Sequence, residues 1–154
     1  MTDFLNATLT AEQLSTVSEL ALAHVGDAVF ELLTRTELIC AGSRQRVREL
    51  HAQTVARVTA PAQAAFVEAI LPSLRPEETA VYKRGRNAHS HPAPKSATPG
   101  QYARSTGLEA LFGWLWLTGQ KARVSELYAI GRNQELRIRE NKEKERIYSV
   151  APAP

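Results

Sequence analysis

Two segments of this chain are apolar on nearly every helical face, and each carries a carboxylate in its interior. The first is LALAHVGDAVFELL, residues 20–33, with Asp27 directly after Gly26. The second is LEALFGWLWL, residues 108–117, with Glu109 near its start and Gly113 one turn later. Helices of that composition are buried in a core or an interface. A carboxylate placed there is costly without a partner: an arginine, a set of backbone donors, or a metal ion. Glycine inside a helix costs about 0.5–1 kcal/mol relative to alanine, and its usual use is close approach of another backbone or a ligand. Gly26 and Gly113 each flank an acid, so two helices are expected to cross tightly there and bring Asp27 and Glu109 together. Converging carboxylates suit Mg²⁺, which takes oxygen ligands and keeps several waters. Structural pairing of each acid with an arginine such as Arg35 or Arg104 stays equally open at this point.

The remaining pattern is helical almost throughout, with no strand-like alternation. Thr10 and Gln13 have capping-box spacing at a helix start. A long helix is expected over residues 14–39, ending near Gly42. Ser43 reads as the cap of a second helix with apolar positions Val47, Leu50, Val55 and Val58. Pro61 either interrupts that helix or begins a new one that reaches Leu71. Pro76, Glu77 and Glu78 open a further helix that ends around residues 83–85, with acids at its start and bases at its end. Residues 86–100 read as loop. Helices then follow over residues 101–118, stopped by Gly119, and over residues 121–130. The division expected is a domain over residues 1–131 and a charged extension over residues 132–154, as a solvated helix or a frayed tail, with its last residues disordered.

With 154 residues the chain can bury one sizeable core. The single cysteine, Cys40, excludes an internal disulfide and fits a reducing cytoplasm; its apolar context reads as core filler. No signal peptide and no apolar stretch near the ~20 residues of a membrane span are visible. The net charge of +3 mildly favours an anionic partner.

A sharper electrostatic signal is local. Residues 79–108 contain no Asp or Glu but hold Lys83, Arg84, Arg86, Lys95 and Arg104, with Asn87, His89, Ser90, His91, Ser96 and Tyr102 among them. That mixture of cations and amide or hydroxyl donors suits phosphate and ribose contacts. The loop leads directly into the helix that carries Glu109, a sensible arrangement for delivering a phosphate to an acid. His89 and His91 lack the companions a zinc site needs and read as loop donors. His24 and His51 read as packing residues, although His24 lies one turn before Asp27.

Taken in order, HVGDAVFE (residues 24–31), KRGRNAHS (residues 83–90) and PKSATPGQYARSTGLEALFGWLWL (residues 94–117) resemble the ribonuclease III family, and within it the short bacterial form, Mini-ribonuclease III. The resemblance covers roughly residues 20–130. It implies an all-α homodimer in which signature helices pack together beside a valley for double-stranded RNA. It implies that Asp27 and Glu109 are catalytic acids that hold Mg²⁺, with Mn²⁺ as a substitute. It implies RNA contacts from Lys83, Arg84, Arg86, Asn87, Lys95, Tyr102 and Arg104, and maturation of 23S ribosomal RNA precursor as the task, with a ribosomal protein as a possible helper. The signature glutamates of full-length ribonuclease III fall on Leu20 and Ala23 here, and a further acid falls on Thr106. The expected metal shell is therefore poor in protein ligands, a departure the short form shares. The competing readings are a catalytically silent duplex-RNA-binding module of the same fold and a helical protein that only dimerises.

Overall fold

The computed structural model describes residues 1, 3–42, 46–88 and 91–149. Among them all regular structure is helical, as the hydrophobic periodicity requires. The order is α1 (Ala11–Ser15), α2 (Glu19–Cys40), α3 (Val47–Val58), α4 (Ala60–Ile70), α5 (Pro76–Asn87), α6 (Pro99–Leu117) and α7 (Lys121–Ser149), with a 3₁₀ turn at Leu71–Ser73. No described helix is long and apolar enough to cross a membrane.

The expected single helix over residues 14–39 is two helices. Ser18 accepts a hydrogen bond from the Ala21 backbone N–H and so starts α2 afresh, while the Thr10–Gln13 capping box starts α1. Pro61 begins α4 rather than kinking α3, in keeping with its fixed φ and missing donor. Helix α5 runs two residues past Gly85, and α6 begins at Pro99 under a reciprocal cap between Thr98 and Gln101, two residues before the expected start. Gly119, at φ +76°, makes the turn into α7. That helix continues well beyond Ile130, through the mixed-charge stretch to Ser149. The expected cap at Ser43 and the expected disorder over residues 151–154 lie outside the described residues.

Helix α6 is the axis of the molecule; α2, α4 and α5 pack along it and α7 closes one side. Its residues Leu108, Leu111, Phe112 and Leu115 are wholly buried. An aromatic cluster ties four helices together: Phe30 of α2, Phe66 of α4, Phe112 of α6 and Tyr128 of α7, with ring centroids 5.0–6.4 Å apart. Edge-on contacts of this kind add about 0.5–1.5 kcal/mol each beyond area burial. Two ion pairs, one buried and one half-buried, brace the periphery. Arg123 of α7 clamps the fully buried Glu78 of α5 at 2.8 Å. Arg132 of α7 reaches Glu37 of α2 at 2.9 Å, where Tyr128 and Arg57 also meet it. Arg132 is buried although it opens the stretch expected as an extension.

Three expectations about single residues fail. Cys40 is exposed, because Leu38 is the last residue of α2 that reaches the core and the final turn projects past it. His24 and His51 are also exposed rather than packed. Val47 and Val55 face solvent, since α3 buries only Thr54 fully.

Candidate active site

The crossing of α2 over α6 has no side chain at its centre. A Cβ built on Gly26 would lie 1.6 Å from the backbone oxygen of Glu109, and one built on Gly113 would lie 1.9 Å from the backbone oxygen of Leu22. The two backbones therefore touch, as the flanking glycines led us to expect. The consequence is positional. On α2 the residues Leu20, Ala23, His24 and Asp27 share one face, and on α6 Tyr102, Thr106 and Glu109 share another. Both faces line a single cavity of about 420 Å³, to which the loop adds His91. The three positions where full-length ribonuclease III carries further acids, Leu20, Ala23 and Thr106, all fall in this cavity's wall.

The two acids disfavour each other's ionisation. Burial and the facing Asp27 push the Glu109 carboxyl from its ordinary 4.5 up to about 8. Asp27, at the open rim, is raised as well, by burial first and then by Glu31, with His24 opposing. The arginine alternative is excluded for both named candidates: Arg35 pairs with Glu31 at 2.5 Å and Arg104 with Glu68 at 2.8 Å. Among the described residues no group of three or more His, Cys, Asp or Glu side chains converges as a ready-made metal cage. Two carboxylates on one cavity, mutually repelling and free of those arginines, nevertheless fit a hard divalent cation that keeps most of its waters.

The basic residues divide. Arg86, Lys95 and Tyr102 line a second cavity of about 580 Å³ that also includes His91 and Thr106, and so abuts the acid pair. Arg86 lies over the Tyr82 ring at 5.8 Å. Lys83 and Asn87 are exposed at the end of α5. Arg84 is engaged with Glu19 at the start of α2, at 2.7 Å, on the side lined by Trp114. Arg104, held by Glu68, is likewise not part of the acid cavity. His89 and Ser90 lie outside the described residues.

Two neighbours of Glu109 escaped the sequence reading. Gln63 of α4 is wholly buried, and its Oε1 accepts a short hydrogen bond from the hydroxyl of Ser105, which lies one turn before Glu109. Both side chains stand beside the Glu109 carboxyl and draw its pKa part of the way back. The signal was present: Gln63 interrupts the apolar run APAQAAFVEAI just as Asp27 and Glu109 interrupt theirs.

An all-helical fold built on this crossing, with an acid from each helix on one cavity, defines the ribonuclease III class. The model of the Ribonuclease III domain matches residues 20–120. A crystal structure of a protein from Fusobacterium nucleatum superimposes with a TM-score of 0.70 at 28% identity, covering 79% of this chain and 97% of that one. Mini-ribonuclease 3 of Symbiobacterium thermophilum is 47% identical over 112 residues, 73% of this chain and 85% of that protein. Mini-ribonuclease 3 of Clostridium tetani is 37% identical over 124 residues, 80% of this chain and 82% of its own length. The chain belongs to the Mini-ribonuclease 3 branch of the ribonuclease III family.

Proposed function

We propose that this chain is a double-strand-specific endoribonuclease that hydrolyses phosphodiester bonds at the Asp27–Glu109 cavity with a divalent cation, Mg²⁺ or in its place Mn²⁺. The observation that carries the proposal is the convergence of those two acids, from two helices whose backbones touch, on one cavity beside an acid-free basic segment. Asp27 and Glu109 would hold the cation through one carboxylate each, the rest of its shell being water or RNA phosphate oxygens. Such a cation supplies Lewis acidity, making water a stronger nucleophile and offsetting charge that develops on the phosphate.

The chain's own residues do the placing. Arg86, Lys95 and Tyr102 sit where the RNA backbone must enter, and Lys83 and Asn87 extend that contact along α5. Arg84 and Arg104 reach RNA by exchanging their present carboxylate partners for phosphates. Recognition is assigned to A-form shape and 2′-hydroxyls rather than to base sequence. Two copies related by a two-fold axis match the two antiparallel strands. Support for such a homodimer comes from an apolar face on which Phe4, Leu5, Ala28 and Leu32 are exposed and Val25 and Trp116 half-buried, all lining one shallow cavity. Residues 1–131 are assigned the catalytic role and residues 132–154 that of a charged extension. The substrate we assign is 23S ribosomal RNA precursor in the cytoplasm, a ribosomal protein being the natural helper.

End-labelled duplex and single-stranded RNA, incubated with the protein with and without Mg²⁺, test this reading. Only the duplex should be cut, only with metal, and Asp27→Asn or Glu109→Gln should reduce cleavage by at least ~10³-fold while the helical signal is retained. Binding of duplex without cleavage, with precursor ribosomal RNA included, would point instead to the silent RNA-binding module.

A further inference from the structure

The amide of Gln63 is an anomaly in the core. The residue is 0% exposed, and its Nε2 is the one buried side-chain nitrogen among the described residues that lacks a hydrogen-bond partner. Leaving such a donor unmet forfeits its hydration without return, and a leucine of similar shape would avoid that cost. The Ser105 hydroxyl donates to Oε1, an arrangement that leaves Nε2 on the other side of the amide. A side-chain amide nitrogen only donates, and a carboxylate only accepts, at about four lone-pair positions. The carboxylate close enough to feel this amide is that of Glu109, although the two stand outside hydrogen-bond geometry.

We propose that Gln63 is the positioning residue for Glu109: its Nε2–H donates to one carboxylate oxygen and so presents the other to the cavity shared with Asp27. The inference rests on Glu109 being a metal ligand. Magnesium demands near-ideal octahedral geometry, and with two protein carboxylates available, a freely turning Glu109 would give it little. Holding one oxygen from behind removes that freedom, and the buried donor finds its acceptor in the same step. Ser105 has the supporting role of stopping the amide from rotating. The site thus draws on a third helix, α4, that contributes nothing to the cavity wall.

The test uses the full chain and its Gln63→Leu, Ser105→Ala, Gln63→Leu/Ser105→Ala and Glu109→Gln variants. Mn²⁺ binding is read by electron paramagnetic resonance without RNA, duplex binding in chelator, and folding by thermal melting. Loss of an outer-sphere partner of a metal ligand typically weakens metal affinity or activity by about 10–100-fold. Gln63→Leu should weaken Mn²⁺ binding in that range and raise the Mg²⁺ concentration for half-maximal cleavage to match. Duplex affinity in chelator should be unchanged, and the melting temperature should not fall. Ser105→Ala should shift the same two metal readouts less, and the double variant should be no worse than Gln63→Leu. Wild-type Mn²⁺ affinity in both single variants overturns the proposal. So does a loss of metal affinity that only tracks a fall in melting temperature in Gln63→Leu and is absent from Ser105→Ala. If Glu109→Gln itself binds Mn²⁺ like the wild type, the metal-site reading falls, and this inference falls with it.

Discussion

Glu109 is held in a protonation state that the proposed metal ligation cannot use. Folded and metal-free, it keeps its proton until about pH 8; unfolded, it loses the proton near its ordinary 4.5. Its contribution to stability is therefore fully present below about pH 4.5 and is lost as pH rises through about 8. Taking that loss as about 1 kcal/mol, since Glu109 is partly exposed and screened, metal-free protein should melt roughly 2–4 °C lower at pH 8.5 than a variant that cannot ionise there. Differential scanning calorimetry in chelator from pH 5 to pH 8.5 checks this. The wild-type curve should sag relative to Glu109→Gln, and added Mg²⁺ should lift the wild type alone. Parallel curves would mean that the carboxyl is already ionised near neutrality. Asp27 and Glu109 were legible in the sequence because a charge in an apolar run needs a reason. Gln63 breaks its run by the same logic, but an amide costs less to bury than a carboxylate, and the signal is correspondingly fainter.

Among the elements, the α2–α6 crossing decides the rest. Its prediction is severe: Gly26→Ala or Gly113→Ala places a methyl inside the facing backbone, where no side-chain rotation gives relief. Each should cost more than about 3 kcal/mol, seen as a large drop in the urea midpoint or as failure to fold. Gly100→Ala is the control, since the nearest heavy atom to its Cβ is 4.0 Å away, and it should be near neutral. Helix identity and the crossing itself could be read from periodicity and from glycine beside acid. Helix ends could not be read as well. The break at Thr16–Ser18 depends on a local cap by Ser18 that the apolar pattern runs straight through. The extension of α7 to Ser149 arises where apolar periodicity is weak and the chain gives no stop signal.

For the whole molecule, the proposed dimer rests on the outward face of α2. Leu32 is 56% exposed and Ile39 59%, on the helix that also carries Asp27. Leu32→Glu should shift the proposed dimer toward monomer by at least tenfold in dissociation constant, measured by sedimentation velocity. Duplex cleavage on both strands should then become two separate nicks. A variant that sediments like the wild type would place the dimer surface elsewhere. No periodicity argument could have divided α2 between core and partner, because apolar residues on all faces are consistent with either destination.

The bare crossing also bears on how this molecule can change. In most proteins the gap between two functional groups drifts as surrounding side chains swap, since packed side chains act as adjustable shims. Here the spacing between the helices that carry Asp27 and Glu109 is set by peptide against peptide, and there is no shim to exchange. Peripheral ion pairs and surface charge can be redesigned without moving the two acids relative to each other. The crossing is thus a fixed datum, and an engineer may build outward from it but cannot retune it by substitution.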